Sequence, residues 1–123
     1  MSTVGLVLIS HSPKIVEGVK DIISQVVQNV SIELAGGTDD GQIGTSIEKI
    51  QAAIEQAKGE KGVLLIYDIG SAKMNAELAI EMSGLDSIEI AEVPLVEGAY
   101  VAAVESGMNK TLEEVKASVE KGF

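Results

Sequence analysis

Four short apolar runs, separated by stretches of helical periodicity, constrain this chain more than any other feature. Val4 to Ile9, Ser31 to Ala35, Val63 to Tyr67 and Ile88 to Val93 read as strands. The first and third are almost continuously apolar, the pattern of strands covered by helices on both faces. Between the runs, apolar residues recur near every 3.6 positions. Ile15, Val16, Val19, Ile22, Ile23, Val26 and Val27 form one helical face, and Ile43, Ile47, Ile50 and Ile54 a second, with Thr45 and Glu48 spaced as a capping box at its start. Met74, Leu78 and Met82 mark a third helix and Glu97 to Glu105 a fourth. Leu112, Val115 and Val119 mark a fifth, opened by a Thr111–Glu114 box.

Strand–helix alternation predicts an α/β fold: an open parallel sheet of four main strands, joined by right-handed crossovers, with helices on both faces. An order of 2-1-3-4 makes the first and third strands neighbours. The 123 residues suit one core. With no linker, repeat or low-complexity stretch, residues 1–123 are read as a single domain. In such sheets chemistry collects beyond the carboxyl ends of the strands, at the point where strand order reverses.

Four segments occupy those ends: Ser10-His11-Ser12-Pro13, Gly36-Gly37-Thr38, Asp68-Ile69-Gly70-Ser71 and Pro94-Leu95-Val96-Glu97. The switch point falls between His11 and Asp68, and His11 is the chain's single histidine. Ser12 as N-cap and Pro13 at the first helical position account for the turn without needing a histidine. A helix N-terminus disfavours a ring proton and favours a nearby anion, which suits a neutral nucleophilic nitrogen that takes up phosphate. Asp68 reads equally as a helix cap or as the carboxylate that fixes the His11 tautomer and answers charge on its ring. Gly70, Ser71 and Ala72 open the third helix, where amides and the Ser71 hydroxyl are placed for phosphoryl oxygens or simply start a helix. Gly36 and Gly37 fit a tight turn. Asp39-Asp40-Gly41 reads as a solvated turn rather than a calcium loop, because the alternating ligand pattern is missing. Lys14 and Lys73 read as solvated, and Glu97 as a helix-start charge.

Composition removes several classes of function. The net charge is −10 and all nine basic residues are lysine, so nucleic acid and anionic lipid are repelled. Tyr and Phe total three and Trp is absent, which leaves no stacking platform for bases. With no cysteine there is neither thiolate chemistry nor a zinc–sulfur site, in keeping with a reducing cytosol. The apolar run ending at Ser10 lacks the basic flank and length of a signal peptide or membrane span. No G-x-S-x-G elbow, Walker loop or G-x-G-x-x-G is present, nor an arginine clamp or magnesium carboxylate pair, so neither hydrolysis nor nucleotide binding is expected. A receiver domain of the response-regulator kind needs an acidic pair after the first strand, where this chain has Ser10-His11-Ser12. A phosphohistidine relay needs less: an amide cluster for the phosphoryl oxygens and an imidazole as leaving group.

The segments LISHSPKIVEGVKDII, AGGTDDGQIGTSI, YDIGSAKMNAELA and VPLVEGAYVAA, in this order, resemble the mannose-type enzyme IIA domains of the phosphoenolpyruvate-dependent phosphotransferase system. The resemblance covers nearly the whole chain. SHSP and DIGSAKMN are worded as in the dihydroxyacetone kinase branch; the sugar-transporter branch tends to carry glycines around the histidine and a double glycine after the aspartate. The resemblance implies that His11 is phosphorylated, that Asp68 pairs with it, and that Gly70, Ser71 and Ala72 surround the phosphate. Gly37 and Thr45 join by the same match, and Ser12 completes the candidate phosphate-binding set by position. It further implies phosphoryl transfer from the histidine-containing phosphocarrier protein to ADP held on a dihydroxyacetone kinase subunit. A homodimer, a cytoplasmic location, and no metal or cofactor of the chain's own are expected. Some family members carry fused phosphocarrier domains; this chain ends at Phe123, so the donor is expected as a separate protein. The alternative is the IIA component of a sugar transporter, with the same histidine chemistry. The sequence leaves open which ring nitrogen carries the phosphate.

Overall fold

The computed structural model describes residues 3–123; Met1 and Ser2, which the single-domain reading includes, lie outside them. Strands β1 (Gly5–Ser10), β2 (Ile32–Gly36), β3 (Val63–Tyr67) and β4 (Ile88–Ala91) alternate with helices α1 (Pro13–Ser24), α2 (Ile47–Ala57), α3 (Ala72–Ser83) and α4 (Leu95–Gly107), and α5 (Leu112–Lys121) closes the chain. The strands form one parallel sheet in the order β2-β1-β3-β4, as the alternation predicts.

Side-chain alternation along β1 divides the interior into two cores. Leu6 and Leu8 point to the layer of α1, α4 and α5, where they meet Val16, Val19, Ile23, Ala99, Ala103 and Val115. Val7 and Ile9 point to the layer of α2 and α3, among Ile50, Ile54, Ala72, Ala76 and Ala79. Because both faces are covered, every residue of β1 is buried. Each fully buried Leu or Ile contributes about 1.5–3 kcal/mol, so this strand is the best anchored part of the sheet.

Several local expectations shift. α3 is present where Met74, Leu78 and Met82 mark it, but these side chains are 69%, 40% and 63% exposed, and the helix packs through Ala72, Ala76 and Ala79 instead. Alanine lets α3 lie close against α2, which leaves the larger residues on the outer face. In α1, Val16, Val19 and Ile23 are buried while Ile15 and Ile22 face solvent; the helix ends at Ser24, so Val26 and Val27 follow it. The cap of α2 is Ser46, whose hydroxyl accepts the Lys49 amide at 3.1 Å, rather than Thr45, and Ile43 lies in the preceding loop. β4 stops at Ala91, short of Val93, and α4 starts at Leu95, two residues before Glu97. The Thr111–Glu114 capping box on α5 forms in full.

Candidate functional site

β1 and β3 are neighbours in register, with Ile9 opposite Tyr67. The ladder continues one step past the strands, where the Asp68 amide donates to Ile9 O at 3.1 Å. That step sets Asp68 beside the Ser10-His11 turn. Its carboxylate accepts four hydrogen bonds: from the Ser10 hydroxyl at 2.8 Å, the His11 amide at 3.0 Å, His11 Nδ1 at 3.0 Å and the Ile69 amide at 2.7 Å. Burial pushes the carboxyl toward its neutral form, but the His11 amide, the Ser10 hydroxyl, the His11 ring and the Ile69 amide outweigh that and hold it below its ordinary value. An ionised carboxylate can only accept, and each neighbour here donates. The cap and orienter readings of Asp68 therefore coexist: one oxygen serves the Ile69 amide and the His11 ring, the other the His11 amide and Ser10.

With Nδ1–H donating to Asp68, Nε2 of His11 carries the lone pair and points outward. The Ser71 hydroxyl lies 3.0 Å from Nε2 and donates to it. The His11 side chain is 22% exposed, enough to be reached from one side only. Among the described residues the amides of Gly70 and Ser71 have no hydrogen-bond acceptor, whereas those of Ala72 and Lys73 close the first helical turn on Ile69 O and Gly70 O. Of the three residues that open α3, then, Gly70 and Ser71 offer open donors, while Ala72 is spent on the helix and buries its methyl group.

The remaining candidates frame the site. Ser12 caps α1 by backbone geometry alone; its hydroxyl makes no cap bond, and its amide donates to the Ser10 hydroxyl at 3.0 Å. Gly37 has φ +75°, donates its amide to Ser10 O, and has no room for a side chain against Pro13 and Gln42 O. Gly44 donates to His11 O at 2.9 Å, so the loop after β2 is stitched to the histidine's own backbone. Thr45 accepts from Asn75 of α3 at 2.6 Å and ties that loop to the helix whose start faces Nε2. Lys73 pairs with Glu92 at 2.6 Å. The sequence reading placed Ser10 beside His11 at the strand end but gave it no part in holding Asp68, and it passed over Asn75. Ser10 had a signal, since it is a polar residue closing a strand predicted to be fully buried; Asn75, one polar residue on a helix, had none. Among the described residues no group of His, Cys, Asp or Glu is arranged to hold a metal ion, and no helix is long and apolar enough to cross a membrane.

A sheet of this order with an oriented histidine at its switch point defines a doubly wound α/β protein whose chemistry sits on the carboxyl edge. Within that class the chain belongs to the family described as PTS system fructose IIA component, whose model matches residues 5–116. It is 40% identical over 119 residues to a Lactococcus lactis protein named PTS-dependent dihydroxyacetone kinase, phosphotransferase subunit DhaM, covering 97% of this chain and 95% of the relative. A Listeria innocua phosphoryl donor subunit DhaM of PEP-dependent dihydroxyacetone kinase 1 is 43% identical over 116 residues, covering 94% and 92%. The Escherichia coli DhaM is 35% identical, and there the match takes up 25% of the longer relative. A crystal structure of a protein of unknown function superposes with a TM-score of 0.85 at 31% identity, over 98% of this chain and 95% of that one.

Proposed function

We propose that this chain is a phosphohistidine carrier, the phosphoryl donor subunit of a phosphoenolpyruvate-dependent dihydroxyacetone kinase. The observation that carries the reading is the His11–Asp68 pair with Nε2 turned outward. Nε2 attacks the phosphorus of the phosphorylated histidine-containing phosphocarrier protein. The donor's P–N bond breaks as the new one forms, and the Nδ1 proton stays in place. The ring becomes cationic, and the Asp68 carboxylate answers that charge at 3.0 Å. Ser71 turns its hydroxyl from Nε2 to a phosphoryl oxygen, and the Gly70 and Ser71 amides, at the positive end of α3, receive the others. In the second transfer the same P–N bond breaks toward ADP held on the kinase partner, which supplies the magnesium. Support comes from DhaM relatives that match along nearly the whole chain, and from an open rim of small residues around His11. The reading includes one domain acting as a homodimer in the cytoplasm.

Incubation with phosphoenolpyruvate, enzyme I and the phosphocarrier protein is expected to add one acid-labile phosphate by intact mass, absent in His11→Ala. The labelled protein is then mixed separately with the ADP-loaded kinase subunit and with a mannose-type transporter IIB domain. Loss of phosphate to the first alone, with ATP formed on it, is the expected outcome. Transfer to the transporter domain alone assigns the chain to sugar uptake. Sedimentation should give the mass of two chains.

A further inference from the structure

Ser46 and Thr111 use their hydroxyls to cap α2 and α5. Ser71, at the start of α3, makes no such cap bond; its hydroxyl lies 3.0 Å from His11 Nε2 instead. On the far side of the ring, Nδ1 meets the Asp68 carboxylate at 3.0 Å. Hydroxyl, imidazole and carboxylate thus form one hydrogen-bonded line, the arrangement that activates a serine nucleophile. Asp68 is held in its ionised form and keeps the ring proton on Nδ1, which leaves Nε2 to accept the proton of Ser71. Beside that hydroxyl the amides of Gly70 and Ser71 have no acceptor among the described residues, and they offer donors to an oxyanion. Ser71 is exposed, and a side chain added at Gly70 would meet no atom within 4 Å, so a small acyl group has room. The absent G-x-S-x-G elbow removes one local way of presenting a serine. Here the pairing of β1 with β3 brings the three residues together from positions 60 apart.

We propose that the chain also hydrolyses small carboxylic esters, with Ser71 as nucleophile, His11 as general base and Asp68 as the residue that positions the ring. Ser71 Oγ bonds to the ester's carbonyl carbon as its proton passes to Nε2. The carbonyl oxygen becomes an oxyanion facing the Gly70 and Ser71 amides. The ester C–O bond then breaks, and the alcohol leaves with the proton from Nε2. Water attacks the acyl group on Ser71 and gives a proton to Nε2. That proton returns to Oγ as the carboxylic acid departs. No metal, oxidant or co-reactant other than water enters. This activity does not rest on the carrier reading. It uses the same Nε2 lone pair for a proton rather than for phosphorus, so phosphate on His11 and acyl transfer at Ser71 exclude each other.

The test uses p-nitrophenyl acetate as substrate and an alkyl fluorophosphonate as trap, both on the unphosphorylated full chain. Wild type is expected to release p-nitrophenolate over many turnovers. The rate should fall by about a hundredfold in His11→Ala and by about tenfold or more in Ser71→Ala. The trap should place its phosphonyl group on Ser71 of the wild type, with fluoride leaving as the hydroxyl proton passes to Nε2, and should leave His11→Ala unlabelled. Peptide mass mapping reads the position of the label. Because the trap reads the wild-type chain, it decides the matter even where a variant fails to fold. An equal rate in Ser71→Ala overturns the inference, since imidazole alone then does the work. Acetyl or phosphonyl found on His11, or a wild-type Ser71 that takes no label, overturns it too. The carrier reading is scored separately, by phosphate on His11, so either one can fail while the other stands.

Discussion

Asp68 is the residue whose loss should be felt in two separate measurements. From the sequence, Asp68→Ala is expected to slow transfer and leave folding untouched. The hydrogen bonds around the carboxylate change that expectation, because four donors converge on it. On truncation the His11 ring and the Ile69 amide can turn to water, since both lie at the surface. The Ser10 hydroxyl and the His11 amide are worse placed: Ser10 is 0% exposed. Two unpaired donors, one on a buried residue and one partly buried, at about 1–3 kcal/mol each give a loss of about 2–6 kcal/mol. For a chain of this length that is a fall in Tm of roughly 8–24 °C. The carboxylate's charge also leaves the ring, so transfer should slow by about a hundredfold or more. Asp68→Asn separates the two effects, since it keeps one acceptor oxygen and the shape but not the charge; it should recover part of the Tm and little of the rate. Asp68 is held below its ordinary value of 3.8 in the folded chain, so its contribution is fully present above about pH 4 and fades as pH falls through the folded value. The Tm gap between wild type and Asp68→Asn should therefore narrow in acid. Calorimetry and phosphoramidate labelling followed by mass spectrometry give both readouts. An Asp68→Ala variant that melts within about 2 °C of wild type at neutral pH would refute the stranded-donor argument.

Three further outcomes follow from the geometry. Ser71→Ala removes the hydroxyl from Nε2 and should shorten the half-life of the phosphorylated form while leaving the melt unchanged, as read by timed intact-mass measurement. Gly37→Ala forces a side chain onto a residue at φ +75° against Pro13 and Gln42 O, and should cost about 1–3 kcal/mol in denaturant unfolding while loosening the loop that bonds His11 O. Thr111→Ala breaks the capping box of α5 and should cost about 1 kcal/mol with no effect on transfer, since α5 packs on α4, β3 and β4.

The parts of the fold legible in the sequence are those written in large apolar residues at regular spacing. β1 and β3 are unbroken apolar runs, and their adjacency follows from a single reversal of strand order. The order 2-1-3-4 sets the ends of β1 and β3 side by side, and the resemblance to the enzyme IIA domains turns that adjacency into a His11–Asp68 pair. What escaped was written in small or locally competing residues. The buried stripe of α3 is Ala72, Ala76 and Ala79, and alanine carries too little apolar area to stand out beside Met74, Leu78 and Met82. The capping assignment slipped from Ser46 to Thr45 because both hydroxyls offer a cap, and tertiary contact decides between them: Thr45 is taken by Asn75. Ser10 belongs to the site through one hydroxyl bond to a residue 58 positions away, which no periodicity encodes.

The register between β1 and β3 has a consequence for timing during synthesis. His11 leaves the ribosome 57 residues before Asp68. At translation speeds of about 5–20 residues per second, that is a delay of roughly 3–11 s. Throughout it the imidazole has no carboxylate to fix its tautomer and no Ser71 beside Nε2. A parallel pair forms only after α1, β2 and α2 have been made and folded over, because its strands are joined by a crossover rather than a hairpin. The nascent histidine is therefore an ordinary imidazole, and becomes a poised one only when the long-range pairing closes. Phosphorylation of His11 in chains arrested at different lengths would report that closure directly: chains too short to expose Asp68 take label slowly, and labelling quickens once β3 can dock on β1.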